Sequence, residues 1–60
     1  MPDSPRTTWL LAFAAELIRL RPHVTQRFAE TVGANEYVRR GELDGAEAAR
    51  RYDMETRKGT

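Results

Sequence analysis

Apolar residues recur at helical spacing through the first third of the chain. Wound at about 100° per residue, Trp9, Leu10, Leu11, Phe13, Ala14, Leu17, Ile18 and Leu20 span roughly 200° of arc, with Ala12, Glu16 and Arg19 on the far side. Ser4 followed by Pro5 is a good helix start. A hydroxyl can cap there, and proline takes the first helical position, where no N–H is required. Thr7 and Thr8 are the other candidate caps. Pro22 disfavours helical geometry at Arg21, so the first helix is expected over 5–20. Val24, Phe28 and Val32, at i, i+4 and i+8, predict a second helix with Pro22 in its first turn. Gly33 follows this stripe directly, as a residue just beyond a helix end does, and Tyr37 and Val38 fall out of phase with it. The second helix is therefore expected over 22–32, with Asn35 capping a short further turn over 36–40. The alternative is a helix that continues to 40 and stops at Gly41.

The third helix carries a capping-box pattern: Asp44 can accept from first-turn N–H groups, and Glu47 can reach back to the cap. Leu43 can staple onto Ala48, and Ala48, Ala49 and Tyr52 share a face over 45–57. No segment alternates in the manner of a strand, and no repeat is present. The expected fold is all-α, a small bundle of three short helices, or four with the break at Gly33. It forms a single domain over 1–60, frayed at 1–4 and 57–60.

The first helix is broader in its apolar coverage than a single neighbour requires, since a helix lying on one partner needs little more than ~100°. It must be covered from two directions. Trp9, Phe13, Leu17 and Leu20, with Phe28 and Val32, form the expected core. The stripe Leu11, Ala14, Ala15 and Ile18, on the far side of the arc from Trp9, Phe13 and Leu20, is expected to be an interface. Two copies of the helix would meet there across a two-fold axis, with the alanines allowing close approach. The size of the chain favours this reading. Folding 60 residues removes roughly 6,000 Å² from water. If about 60% of that is apolar, the gain is about 90 kcal/mol, and ordering the chain costs about the same. There is no cysteine, so no disulfide can make up a deficit.

Composition narrows the chemistry. Ten basic and nine acidic residues leave a net charge of +1, which supplies no general attraction to nucleic acid or membrane. Without cysteine, and with His23 the lone histidine, no metal site is expected. Gly33, Gly41, Gly45 and Gly59 match neither dinucleotide-binding nor P-loop spacing. No nucleophile is paired with a base, and His23 beside Pro22 is expected to face solvent or cap a helix. Neither an enzyme nor a cofactor is expected. Arg6 ahead of the apolar run over 9–15 has a signal-like look, but Asp3 offsets it and the small-residue site lies inside the run. Glu16, Arg19 and Arg21 interrupt the apolar stretch too early for a membrane span. A cytoplasmic protein without a membrane partner is expected.

Two arginine pairs, Arg39 with Arg40 and Arg50 with Arg51, could converge with Arg57 and Lys58 into an edge that contacts phosphates. Residues 31–60 nonetheless hold six acidic residues against six basic ones, and Glu47 stands four before Arg51, a favourable helix pair. Residues 46–54, AEAARRYDM, resemble the first helix and turn of a helix-turn-helix, with Asp53 in the place of the turn glycine. Only six residues follow Met54, so the recognition helix of such a motif is not expected. These readings lead to a small non-enzymatic helical interaction protein. It would act through the apolar first helix, on itself as a homodimer or on a larger protein. The alternative is a nucleic-acid-binding or regulatory accessory protein that uses Arg39, Arg40, Arg50 and Arg51.

Overall fold

Helix boundaries in the computed structural model, which describes residues 4–58, follow local capping chemistry at both ends of the first helix. Helix α1 spans Pro5–Leu20. The Ser4 hydroxyl accepts from the Thr7 N–H at 3.1 Å, and Pro5 occupies the first turn. At the other end Arg21 leaves helical geometry (φ −133°, ψ 83°), as Pro22 demands, although its N–H still donates to the Leu17 carbonyl at 2.8 Å.

The second helix differs from expectation at its start. Pro22 does not open it. The Val24 N–H donates to the Arg21 carbonyl at 2.9 Å, which puts Pro22 at the second position of a tight turn, a place its fixed φ suits. Helix α2 is Gln26–Arg40, capped by Thr25, whose hydroxyl accepts from the Phe28 N–H at 3.1 Å. The break expected at Gly33 is absent, as is the capped turn expected at Asn35. Gly33 is buried against α1, where an added Cβ would lie 3.1 Å from both Leu10 Cδ2 and Phe13 Cδ1. A glycine in a helix interior costs about 1 kcal/mol; the close packing it allows against α1 offsets that, so the helix runs on to Arg40.

Helix α3, Gly45–Lys58, begins where the Asp44 signal places it, with the Asp44 carbonyl accepting from the Ala48 N–H at 2.9 Å. Glu47 does not complete a capping box, because its carboxylate takes hydrogen bonds from Arg50 and Arg51. The glycine-like turn that the helix-turn-helix resemblance implies at Asp53 is not there either, since α3 continues through it. Of the ends expected to fray, Ser4 caps α1 and Arg57 bonds to Asp53, while residues 1–3 and 59–60 lie outside the described residues.

The molecule is an all-α three-helix bundle with α1 in the middle. Helix α2 returns antiparallel, bringing Gly33 against Phe13 and Tyr37 against Trp9. Helix α3 lies along another side of α1 in the same direction, with Gly45 against Trp9, Arg50 beside Glu16 and Asp53 beside Arg21. Contacts between α2 and α3 are sparse. The broad apolar arc is thus covered from two directions within one chain.

Phe13 and Leu17 are the large side chains shut off completely, joined by Trp9, Ala14, Ala29, Ala48 and Ala49. Trp9 stacks on Phe13 (centroids 5.4 Å apart) and meets Tyr37 edge-on (5.1 Å), and its indole N–H donates to the Leu43 carbonyl at 2.7 Å. Three of the expected core residues sit elsewhere. Phe28 is 49% exposed, Leu20 is half-buried, and Val32 packs against the core from its margin. The buried positions of α2 are Ala29, Gly33 and Glu36, at i, i+4 and i+7, so small residues face α1 and the 28/32 stripe is turned to the edge.

Candidate interaction surface

The four residues expected to form an interface on α1 do not stay together. Ala14 is fully buried within the chain and has no surface to offer a partner. Its place on the covered side follows from the small-residue packing that draws α2 and α3 close. Ile18 is half-buried against the core, while Leu11 (51% exposed) and Ala15 remain open. Among the described residues, Phe28 and Val38 on α2 and Met54 on α3 are the other large apolar side chains left in water. Single exposed apolar residues are ordinary, but these four large ones belong to a chain of 60.

The arginine pairs are drawn into ion pairs inside the molecule. Arg40 places Nε 2.8 Å from the buried Glu36 carboxylate and Nη2 2.7 Å from Glu55, joining α2 to α3 where apolar contact between them is thin. Arg39 lies 3.6 Å from Glu36. Arg51 pairs with Glu47, as the spacing of the two predicts, and Arg50 is shared between Glu47 and Glu16 of α1. The pairs converge only in part. Arg40 holds the Glu55 carboxyl below its ordinary value, with Arg39 and Arg51 adding to the effect, whereas Arg50 turns to α1. Glu47 is held low by Arg50 and then Arg51. Glu16 is held low by Arg19, with Arg50 reinforcing it against partial burial.

Sequence reasoning missed a third polar cluster at the far end of the bundle. Arg21 donates to the Asp53 carboxylate at 2.5 Å, to the Asp53 carbonyl at 3.1 Å and to the Thr56 hydroxyl, and its guanidinium lies 5.8 Å from the centre of the Tyr52 ring. Arg57 reaches the other Asp53 oxygen at 2.8 Å. Burial works against the charge on Asp53, but the bonds from Arg57 and Arg21 prevail and hold its carboxyl below the ordinary value. The Asp53–Arg57 spacing is legible in the sequence. The Arg21–Asp53 contact joins residues 32 apart and leaves no local signal. His23, beside this cluster, faces solvent in the α1–α2 turn.

Among the described residues no group of three or more histidine, cysteine or acidic side chains is set to hold a metal ion, and no helix is long and apolar enough to cross a membrane. No family model, curated protein or solved structure matches the sequence.

Proposed function

We propose that the chain is a small non-enzymatic helical interaction protein that associates with itself or docks on a larger protein through apolar surface its fold leaves open. The observation that carries this reading is the exposure of Leu11, Phe28, Val38 and Met54 in so small a bundle. On α1 the open stripe is Leu11 with Ala15, flanked by Ile18. Ala14, buried at its margin, supports the helix from within. The carboxylates of Glu16, Glu36, Glu47, Asp53 and Glu55 are each held by arginines. The nucleic-acid alternative gains nothing from the geometry, because Arg39, Arg40, Arg50 and Arg51 each face a carboxylate.

Sedimentation velocity over a micromolar concentration series, on the wild type and on Ala15→Glu, tests self-association. Ala15 is exposed, so the variant keeps its fold, and association through α1 weakens in it. A monomer at every concentration that also binds no hydrophobic dye overturns both the self-associating and the docking forms. Binding to DNA or RNA at low salt that falls steeply as salt rises favours the alternative.

A further inference from the structure

We propose that the outward face of α2 pairs with the same face of a second copy of the chain, the two helices lying antiparallel across a two-fold axis. This deepens the self-associating form of the interaction reading and rests on it. Ala29, Gly33 and Glu36 set the buried side of α2. Half a turn round, at about 100° per residue, Arg27, Thr31, Ala34 and Val38 form one line down the outside of the helix. Gly41 keeps helical backbone angles (φ −64°, ψ −18°), so Glu42 continues that line beyond the last turn. Arg27, Thr31, Val38 and Glu42 are exposed, and Val38, 85% open, is the most exposed large apolar side chain among the described residues.

Charge and spacing select the occupant. The arginine pairs and their carboxylates hold one another, but the Arg27 guanidinium and the Glu42 carboxylate have no hydrogen-bond or ion-pair partner among the described residues. They stand at opposite ends of the line, about 22 Å apart at ~1.5 Å per residue, too far to meet within one chain. The line is also symmetric. Positions 27 and 42, and positions 31 and 38, are both centred midway between Ala34 and Asn35. An antiparallel copy turned about that midpoint sets Arg27 against the Glu42 of the second copy, and Glu42 against its Arg27. Each Val38 then lies over a Thr31, with Ala34 near the axis, where a small side chain lets two helices approach. Glu30 and Arg39 lie about a quarter turn to either side, so no like charges meet on the line. A parallel copy would set Arg27 beside Arg27 and Glu42 beside Glu42. An unrelated partner needs an acid and a base at this same separation, which a second copy already carries. One helix from each copy makes a contact at the small end of interface sizes, so the association is weak.

The test is sedimentation velocity of the full chain from micromolar to millimolar concentration, at low and at high salt. The wild type is expected to dimerise, and to do so less as salt rises. Arg27→Glu and Glu42→Arg, both at exposed positions, each set like charges at both ends of the contact and should lower the association constant about tenfold. Mixed in equal amounts, the two variants regain both ion pairs and should associate as the wild type does. The chain carrying both substitutions regains them with its own copy, and serves if either single variant fails to fold. Val38→Ser should also lower association about tenfold. A mixture that associates no better than its components, a doubly substituted chain that stays monomeric, or Val38→Ser that associates as the wild type does each overturns the contact. A wild type that is monomeric at millimolar concentration overturns it too, and if that monomer binds a hydrophobic dye the docking form of the broader reading stands. Association that falls in Ala15→Glu and ignores the charge variants places the contact on α1 and overturns this inference alone.

Discussion

Phe13 ties all three helices together: it stacks on Trp9, tilts against Tyr52 of α3 with ring centres 6.1 Å apart, and faces Gly33 of α2. Truncating a buried phenylalanine costs about 3–5 kcal/mol, comparable with the whole stability of a domain this small. Phe13→Ala is therefore expected to abolish cooperative unfolding in circular dichroism melts. Retained helicity with an unchanged melting point would show that the core lies elsewhere. Two glycines are expected to behave differently from each other. A Cβ on Gly45 would lie 2.5 Å from the Trp9 carbonyl oxygen, a backbone atom that cannot step aside alone. Gly45→Ala should lose about 1–3 kcal/mol in chemical denaturation. At Gly33 the added Cβ would sit 3.1 Å from two side chains, the half-buried Leu10 and the sealed Phe13 ring, which have only tenths of an ångström to give, while the helix gains about 1 kcal/mol from alanine. Gly33→Ala should stay within about 1 kcal/mol of the wild type, and a loss as large as that at Gly45 would contradict the account.

At the scale of elements, each helix is started by chemistry a few residues wide and then held by contacts from far along the chain. Removing the Thr25 hydroxyl leaves the Phe28 N–H without its cap, so Thr25→Ala should cost about 1 kcal/mol in the same denaturation assay. Helices α2 and α3 are joined chiefly through charge, and α3 meets α1 through Glu16–Arg50 and Arg21–Asp53 as well as through its alanines. The carboxyls of Glu16, Glu47, Asp53 and Glu55 are all lowered, from ordinary values of 4.5 for the glutamates and 3.8 for Asp53. The folded state thus binds protons less readily than the unfolded chain. The stability these groups add is complete above the ordinary values and disappears as pH falls through the lowered ones. The melting temperature should be level from about pH 7 to about pH 5 and fall below about pH 4. The fall should be modest, because Glu47 and Glu55 are well exposed, and molar salt should lower the plateau as well. A melting temperature that does not change down to pH 2 would show these pairs to be without weight.

For the whole molecule, the small residues at the helix crossings decide what is inside and what is left for others. Ala14, Ala29, Gly33, Gly45, Ala48 and Ala49 let three short helices close on one another, and the larger apolar residues at 11, 28, 38 and 54 stay outside. Ala14→Glu forces a carboxylate into the sealed interior, so it should unfold the chain at any protein concentration, as read by circular dichroism. Ala15→Glu, one position on, should leave the helical signal intact. A folded Ala14→Glu variant would place α1 differently from the packing described.

What the sequence alone determined is the helical class, the span of α1, the start of α3 and the Glu47–Arg51 pair. The span of α1 and the Glu47–Arg51 pair rest on forces that act within one turn of helix: a cap, a proline, an i, i+4 attraction. The core was legible at Trp9, Phe13 and Leu17, where periodicity is strong. It was not legible at Phe28 or Ala14, because a hydrophobic stripe does not say which edge its neighbour covers. The open surface was correspondingly half visible: the exposure of Leu11 and Ala15 on α1 could be read, and that of Phe28, Val38 and Met54 could not. Tertiary structure decided the passage of α2 through Gly33, where a local penalty of about 1 kcal/mol is outweighed by contact with residues some twenty positions away. It also decided the Arg21–Asp53 clasp, since two charges so distant in the chain meet only after three helices have packed.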